Sequence, residues 1–156
     1  MNDTDLDVAF NTDSGYFDLS INPQTGDLTM TQGLDTALLC SLMLDKRLTS
    51  TEVPQNNLRG GWVGNLYTEM EMGSKLHALS GPMTDTIANE SITYCRSALQ
   101  WLIDKNYIDS MTTSSSYIND TLTISITLYK DGDILTTATL NVFTNTLLIL
   151  PETYLS

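Results

Sequence analysis

Residues 121–143 constrain the fold more than any other stretch of this chain. Leu122, Ile124, Ile126 and Leu128 alternate with Thr121, Thr123, Ser125 and Thr127. That period of two belongs to a strand with one buried and one solvated face. Lys130-Asp131-Gly132-Asp133 comes next, and an Asp-Gly pair between two such runs is the strongest short-range hairpin signal. Residues 134–143 then return as the partner strand.

Helical periodicity dominates the middle of the chain. Over 85–105, Ile87, Ser91, Cys95, Ala98 and Leu102 mark one stripe, flanked by Ala88, Ile92, Leu99 and Ile103. Thr84 is placed to cap its start, with Asp85 in the first turn, and Asn106 suits a left-handed C-cap. Trp101 lies beside the stripe, where it can cover a seam. An earlier helix is expected from about Leu34, with Leu38, Leu39, Leu42 and Met43 burying most of its circumference. Its predicted last turn holds Lys46 and Arg47, where positive charge favours the free carbonyls. A third, short helix is expected over 73–79, closed by Gly81-Pro82.

Ahead of these come three short strand-like runs, 7–11, 16–21 and 27–31, punctuated by turns at 13–15 and 23–26. They read as a small antiparallel meander. Residues 107–117 form a Ser/Thr-rich approach whose outer half suits a strand. The apolar tail 147–150 must be tucked into the sheet or covered by a partner, since an exposed edge of that kind aggregates. The fold class is therefore α+β: an N-terminal antiparallel meander, two main helices and a C-terminal hairpin sheet. At 156 residues it is expected to be one domain, 1–156, with 1–6 and 151–156 frayed. Folding a chain of this length buries roughly 70% of its unfolded surface.

Charge narrows the partners. Seven Lys+Arg against 19 Asp+Glu give a net charge of −12. That disfavours nucleic acid, whose affinity comes from cations neutralising phosphates, and it disfavours an anionic membrane. The excess acid serves solubility or presents an acidic face to a basic partner. Cys40 and Cys95 fall among apolar helical neighbours and read as buried free thiols, which suits folding in a reducing cytoplasm. The chain shows no basic-then-apolar leader and no run of 18 apolar residues, so neither export by a signal peptide nor a membrane span is expected.

Catalytic chemistry is hard to find. His77 is the only histidine, with no second metal-type ligand close by in sequence. Glu52, Glu69, Glu71 and Glu90 are the carboxylates a glycosidase reading would draw on, yet none sits in an apolar setting that would raise its pKa. No catalytic, cofactor-binding or metal residues are assigned, and no small-molecule substrate is expected. Two stretches remain: Asp45-Lys46-Arg47, and Arg59-Gly60-Gly61-Trp62-Val63-Gly64-Asn65. The second is a rigid glycine turn. It lacks the lysine and following helix of a phosphate cradle. Its tryptophan is either a lid on the chain's own core or an anchor for a partner.

Taken together, LDTALLCSLMLDKR, RGGWVGN and SALQWLIDKN, in that order and spacing, resemble the Mu-type phage baseplate protein family. That family is similar to the baseplate wedge subunit of contractile tails, of the sheath-initiator type once labelled lysozyme-like, and to its counterpart in type VI secretion. The resemblance spans about residues 6–143. It implies a structural role where baseplate meets sheath, in the virion tail after assembly in the host cytoplasm. The partners it implies are other wedge subunits and the tail sheath protein. The wedge family's Glu-Pro-Arg-like motif, which engages neighbouring wedge subunits, falls here on Asp45-Lys46-Arg47, where only the arginine matches. The interface residues implied are Asp45, Lys46, Arg47, Arg59, Gly60, Gly61, Trp62, Gly64 and Asn65. The resemblance further implies that the 121–143 hairpin edge accepts strands from sheath subunits. The alternatives are a cell-wall glycosidase, after the older family label, and a host-directed binding module.

Overall fold

The computed structural model describes residues 4–6, 8–11, 16–19, 24–26, 30–32, 34–53, 59–67, 69, 71–79, 84–118, 121–142 and 146–151. The chain divides into two compact units, 1–39 and 40–156.

The first unit holds four short strands: β1 (Thr4–Leu6), β2 (Val8–Asn11), β3 (Tyr16–Leu19) and β4 (Met30–Gln32). The expected antiparallel strands are present, and their pairing is nested. β2 pairs with β3, while β1 pairs with β4 from Thr4↔Gln32 to Leu6↔Met30. Thr4–Leu6, expected to fray, is thus held by a partner strand. The turn expected at 13–15 and most of the strand expected at 27–31 lie outside the described residues.

Helix α1 (Asp35–Met43) begins where the leucine pattern places it and buries Leu38, Leu39, Ser41 and Leu42. It stops before Asp45-Lys46-Arg47, so Lys46 and Arg47 are not in its last turn. The reason is tertiary. Ser74 donates its backbone N–H to Leu44 O at 2.8 Å and its hydroxyl to Leu42 O at 2.7 Å. The carbonyls at the helix end are thereby met from another segment, and the chain leaves in extended form.

In the second unit, α2 (Asp85–Asp104) follows the sequence closely. Thr84 Oγ1 accepts the Ile87 N–H at 3.3 Å, and Ser91, Cys95, Ala98, Leu99 and Leu102 are buried. Asn106 closes the helix at φ 62°. Tyr107 N reaches Leu102 O and Asn106 N reaches Ile103 O, the paired bonds of a left-handed cap. Trp101 covers a seam as expected: its indole N–H donates to the fully buried Ser41 Oγ at 2.9 Å, and its ring meets Tyr107 edge-on at 5.8 Å. Ser41→Ala should cost about 1–3 kcal/mol in urea denaturation, because a part-buried N–H loses its acceptor.

The sheet is antiparallel throughout, in the order β5 (Ser110–Ile118), β6 (Thr121–Lys130), β7 (Asp133–Asn141), β8 (Thr146–Pro151). Leu122, Ile124, Ile126 and Leu128 are all fully buried, with Ala138 and Leu140 beside them on β7. α2 packs against β5 and β6. Asp131 and Gly132 take positive φ, 53° and 89°, the turn that an Asp-Gly hairpin requires. The apolar tail is resolved in favour of the sheet, since β8 pairs with β7 from Thr136↔Pro151 to Asn141↔Thr146. The strand in 107–117 runs well beyond the outer half. One expectation is corrected. β6 and β7 each have a neighbour on both sides, so the 121–143 hairpin has no free edge for an added strand. The outer strands of the sheet are β5 and β8.

Asp109 braces the hairpin turn. Its carboxylate accepts the Asp131 N–H at 2.7 Å and the Lys130 ammonium at 3.0 Å. Those bonds, the backbone one foremost, hold its pKa below the ordinary carboxylate value. A depressed folded-state pKa stabilises above the unfolded value, and that contribution is lost as pH falls through the folded value. Asp109→Asn should therefore flatten the acid limb of a stability–pH curve measured by thermal melting.

Candidate functional site

The two stretches singled out by sequence meet in one place. Residues 44–48 run as a strip between two others. On one side Trp62 N donates to Asp45 O at 2.8 Å, and Leu48 N donates to Arg59 O at 2.9 Å. On the other, Lys46 N donates to Ser74 O at 2.8 Å, within a short parallel bridge between Asp45 and Ser74. Three separate loops are thus clasped by backbone bonds, which fixes them without a helix or a regular sheet.

Within the clasp the side chains divide by role. Arg59 donates its Nε to Leu48 O at 2.8 Å, doubling the backbone bond between the same residues. Asn65 pins the outer loop: its amide donates to Met72 O and accepts from Met72 N, both at 2.8 Å. Lys46 faces Glu71 at 3.6 Å. Asp45 lies 3.5 Å from His77 Nδ1, which is also 3.2 Å from Ser74 O. Gly60 lies against the His77 ring. Gly61, at φ 116°, lets the backbone pass beside Arg47, whose Cβ would stand 3.1 Å from a methyl group there. Trp62 folds its ring over Gly64 and stays 37% exposed. Arg47 is exposed and has no hydrogen-bond or ion-pair partner among the described residues.

Sequence reasoning missed Gly73 and Ser74, which close the clasp from behind. No local pattern marks them, because their partners are some 30 residues away. It also passed over Val63, Leu66 and Tyr67, which the clasp holds out to solvent.

Of the four glutamates named above, Glu71 faces Lys46 and Glu52 is the most heavily bonded. Glu52 accepts from Lys75 Nζ at 2.5 Å and from the Thr49 N–H and hydroxyl at 2.8 Å each. The Lys75 bond foremost, these hold its pKa at about 2 instead of 4.5. A glycosidase acid needs the opposite shift. Cys95 is buried, which pushes its thiol up to about 12 and leaves it unreactive near neutral pH. Neither Cys40 nor Cys95 forms a disulfide, and of the two thiols expected to be buried only Cys95 is, Cys40 being half-buried. Among the described residues no group of three or more His, Cys, Asp or Glu could hold a metal, and no helix is long and apolar enough to cross a membrane. An open groove between α2 and β5 is lined by Arg96, Gln100, Asp109 and Met111. Its polar groups are engaged, Arg96 with Thr113 and Gln100 with Asp104.

The model of the phage protein GP46 family matches residues 34–134, more than half of the chain. The chain belongs to that family. The GP46 match begins at α1 and ends at the first residues of β7, so it takes in the whole clasp, α2 and the β5–β6 pair. It leaves out the four N-terminal strands and β8. None of the curated proteins matches the chain in sequence.

Proposed function

We propose that this GP46-family protein is a non-enzymatic baseplate wedge component of a contractile tail, joining neighbouring wedge subunits to the first ring of sheath. The observation that carries the reading is the match to a phage protein family across the clasp, α2 and the β5–β6 pair; the baseplate role itself comes from the Mu-type resemblance of the sequence. Two structural features support it. The clasp presents Arg47 and Trp62 on a backbone that is already fixed, so binding orders little further chain. Strand β5 offers nine Ser/Thr-rich residues at the rim of the sheet, with no proline, lysine or bulge to blunt it. An added strand would pair there, with backbone bonds giving affinity and alternate side chains giving register.

Quantitative mass spectrometry of intact, purified tail particles tests this directly. The chain should be present at a fixed multiple of the tail's rotational symmetry; its absence from complete particles would sink the proposal. Arg47→Ala should lower incorporation by roughly tenfold or more, as loss of an interface hot spot does. Its thermal stability should stay within about 0.5 kcal/mol of the parent, as for an exposed side chain without partners. Purified protein should leave a peptidoglycan suspension turbid; clearing that disappears in a Glu→Gln variant would favour the glycosidase instead.

A further inference from the structure

Strand β5 has β6 on one side and no strand on the other among the described residues. The opposite edge, β8, is shorter at six residues and ends in Pro151, which has no N–H to give. The nine residues Ser110–Ile118 carry no charge, in a chain with 19 acidic and seven basic side chains. Two copies of a protein at net charge −12 repel each other over most of their surface. They can approach closely only where carboxylates are missing, and β5 is such a place. Asp109, just before it, is already held by Lys130 and the Asp131 N–H.

The order of side chains along β5 also suits pairing with itself. Met111, Thr113, Ser115 and Tyr117 stand opposite Leu128, Ile126, Ile124 and Leu122 of β6, all fully buried. These odd-numbered residues therefore share the face that α2 covers, and Thr113 Oγ1 accepts the Arg96 N–H from that helix at 2.7 Å. An antiparallel two-fold pairing centred on Ser114 keeps that face common to both copies. It sets Met111 opposite Tyr117 of the second copy, Thr113 opposite Ser115, Thr112 opposite Ser116 and Ser110 opposite Ile118. The half-buried Met111 thus meets the 44% exposed Tyr117 at both ends of the seam, and hydroxyls fill the middle. Opposed side chains of these kinds stabilise a pair of strands. Sliding the seam by one pleat sets Tyr117 opposite Asp109 in one direction and opposite Thr113 in the other. The register is specified by those mismatches.

We infer that β5 is a self-pairing edge, through which two copies of the free chain join antiparallel into one continuous sheet about Ser114. A two-fold contact of this kind closes on itself and stops at two copies. It also covers a strand edge that otherwise invites uncontrolled pairing. The same edge is the one offered to an added strand in the tail, so assembly there would release the second copy. The inference concerns the isolated chain and does not rest on the baseplate reading.

Sedimentation velocity of the isolated full chain across the micromolar range tests it. The chain should sediment at twice its mass. Ser114→Lys should raise the dissociation constant by about tenfold or more, because two ammonium groups then face each other at the axis. Ser114 is exposed, so the far-ultraviolet circular dichroism should not change. Ser114→Cys gives a second reading. Mild oxidation should link two such chains, since directly opposite Cα atoms lie about 4.5–5.5 Å apart, within disulfide reach. Ser110→Cys, opposite Ile118, should link no faster than the parent, whose Cys40 and Cys95 set the background. If Ser114→Lys alters the circular dichroism, the two cysteine variants decide alone. A chain that stays monomeric overturns the inference. So do open-ended polymers, or a dimer indifferent to Ser114→Lys and to the position of the cysteine. None of these outcomes bears on the baseplate reading, which tail particles test separately.

Discussion

Gly73→Ala is expected to destabilise the second unit by about 3–5 kcal/mol, combining backbone strain with overpacking. Gly73 is buried at φ 112°, a region that side chains avoid. A methyl group there would stand 2.7 Å from Leu44 O, 3.0 Å from Asp45 C and 3.0 Å from Lys46 N. All three are backbone atoms, so no side chain can swing aside. Relief requires breaking the bonds of Ser74 to Leu44 and Lys46, which hold the end of α1 to the clasp. At about 2–4 °C per kcal/mol for a chain of this size, the melting temperature should fall by about 6–20 °C. A variant that melts with the parent would show that the clasp does not depend on this close approach.

Leu102→Ala should cost about 2–5 kcal/mol through lost burial and the cavity left behind. Leu102 is fully buried on the face of α2, and its carbonyl also accepts from Tyr107 and Ile108 at the helix end. The backbone cap survives the substitution, so the loss reports packing between the helix and the sheet. Ser125→Ala, exposed on the opposite face of β6, should change stability by no more than about 0.5 kcal/mol. Urea denaturation of the two variants side by side checks the contrast. Equal effects would mean that the sheet buries the other face.

The legible parts of the fold were those written in short-range pattern. Thr84, Asn106 and the Asp131-Gly132 turn each act on residues within a few positions, and each sits where its chemistry places it. The burial of Leu122 to Leu128 follows from alternation alone. The candidate site was legible only as two separate stretches. That Arg59 shares its bonds with Leu48, and Trp62 with Asp45, depends on loops meeting across more than ten residues.

Sequence by itself determined the helix–sheet composition, the buried face of β6 and the residues that start and stop α2. Those choices rest on periodicity and on local caps, whose energetics need no distant partner. Tertiary structure alone decided where α1 ends, because the carbonyls of Leu42 and Leu44 are met by Ser74. It decided which strands are edges, because β5 and β8 enclose the hairpin on both sides. It decided which side chains of the glycine turn are free, since Asn65 is bound to Met72 while Leu66 faces solvent. Each of those outcomes depends on a pairing outside the element's own periodic pattern, from seven residues away for Asn65 and Met72 to about thirty for Ser74 and the end of α1.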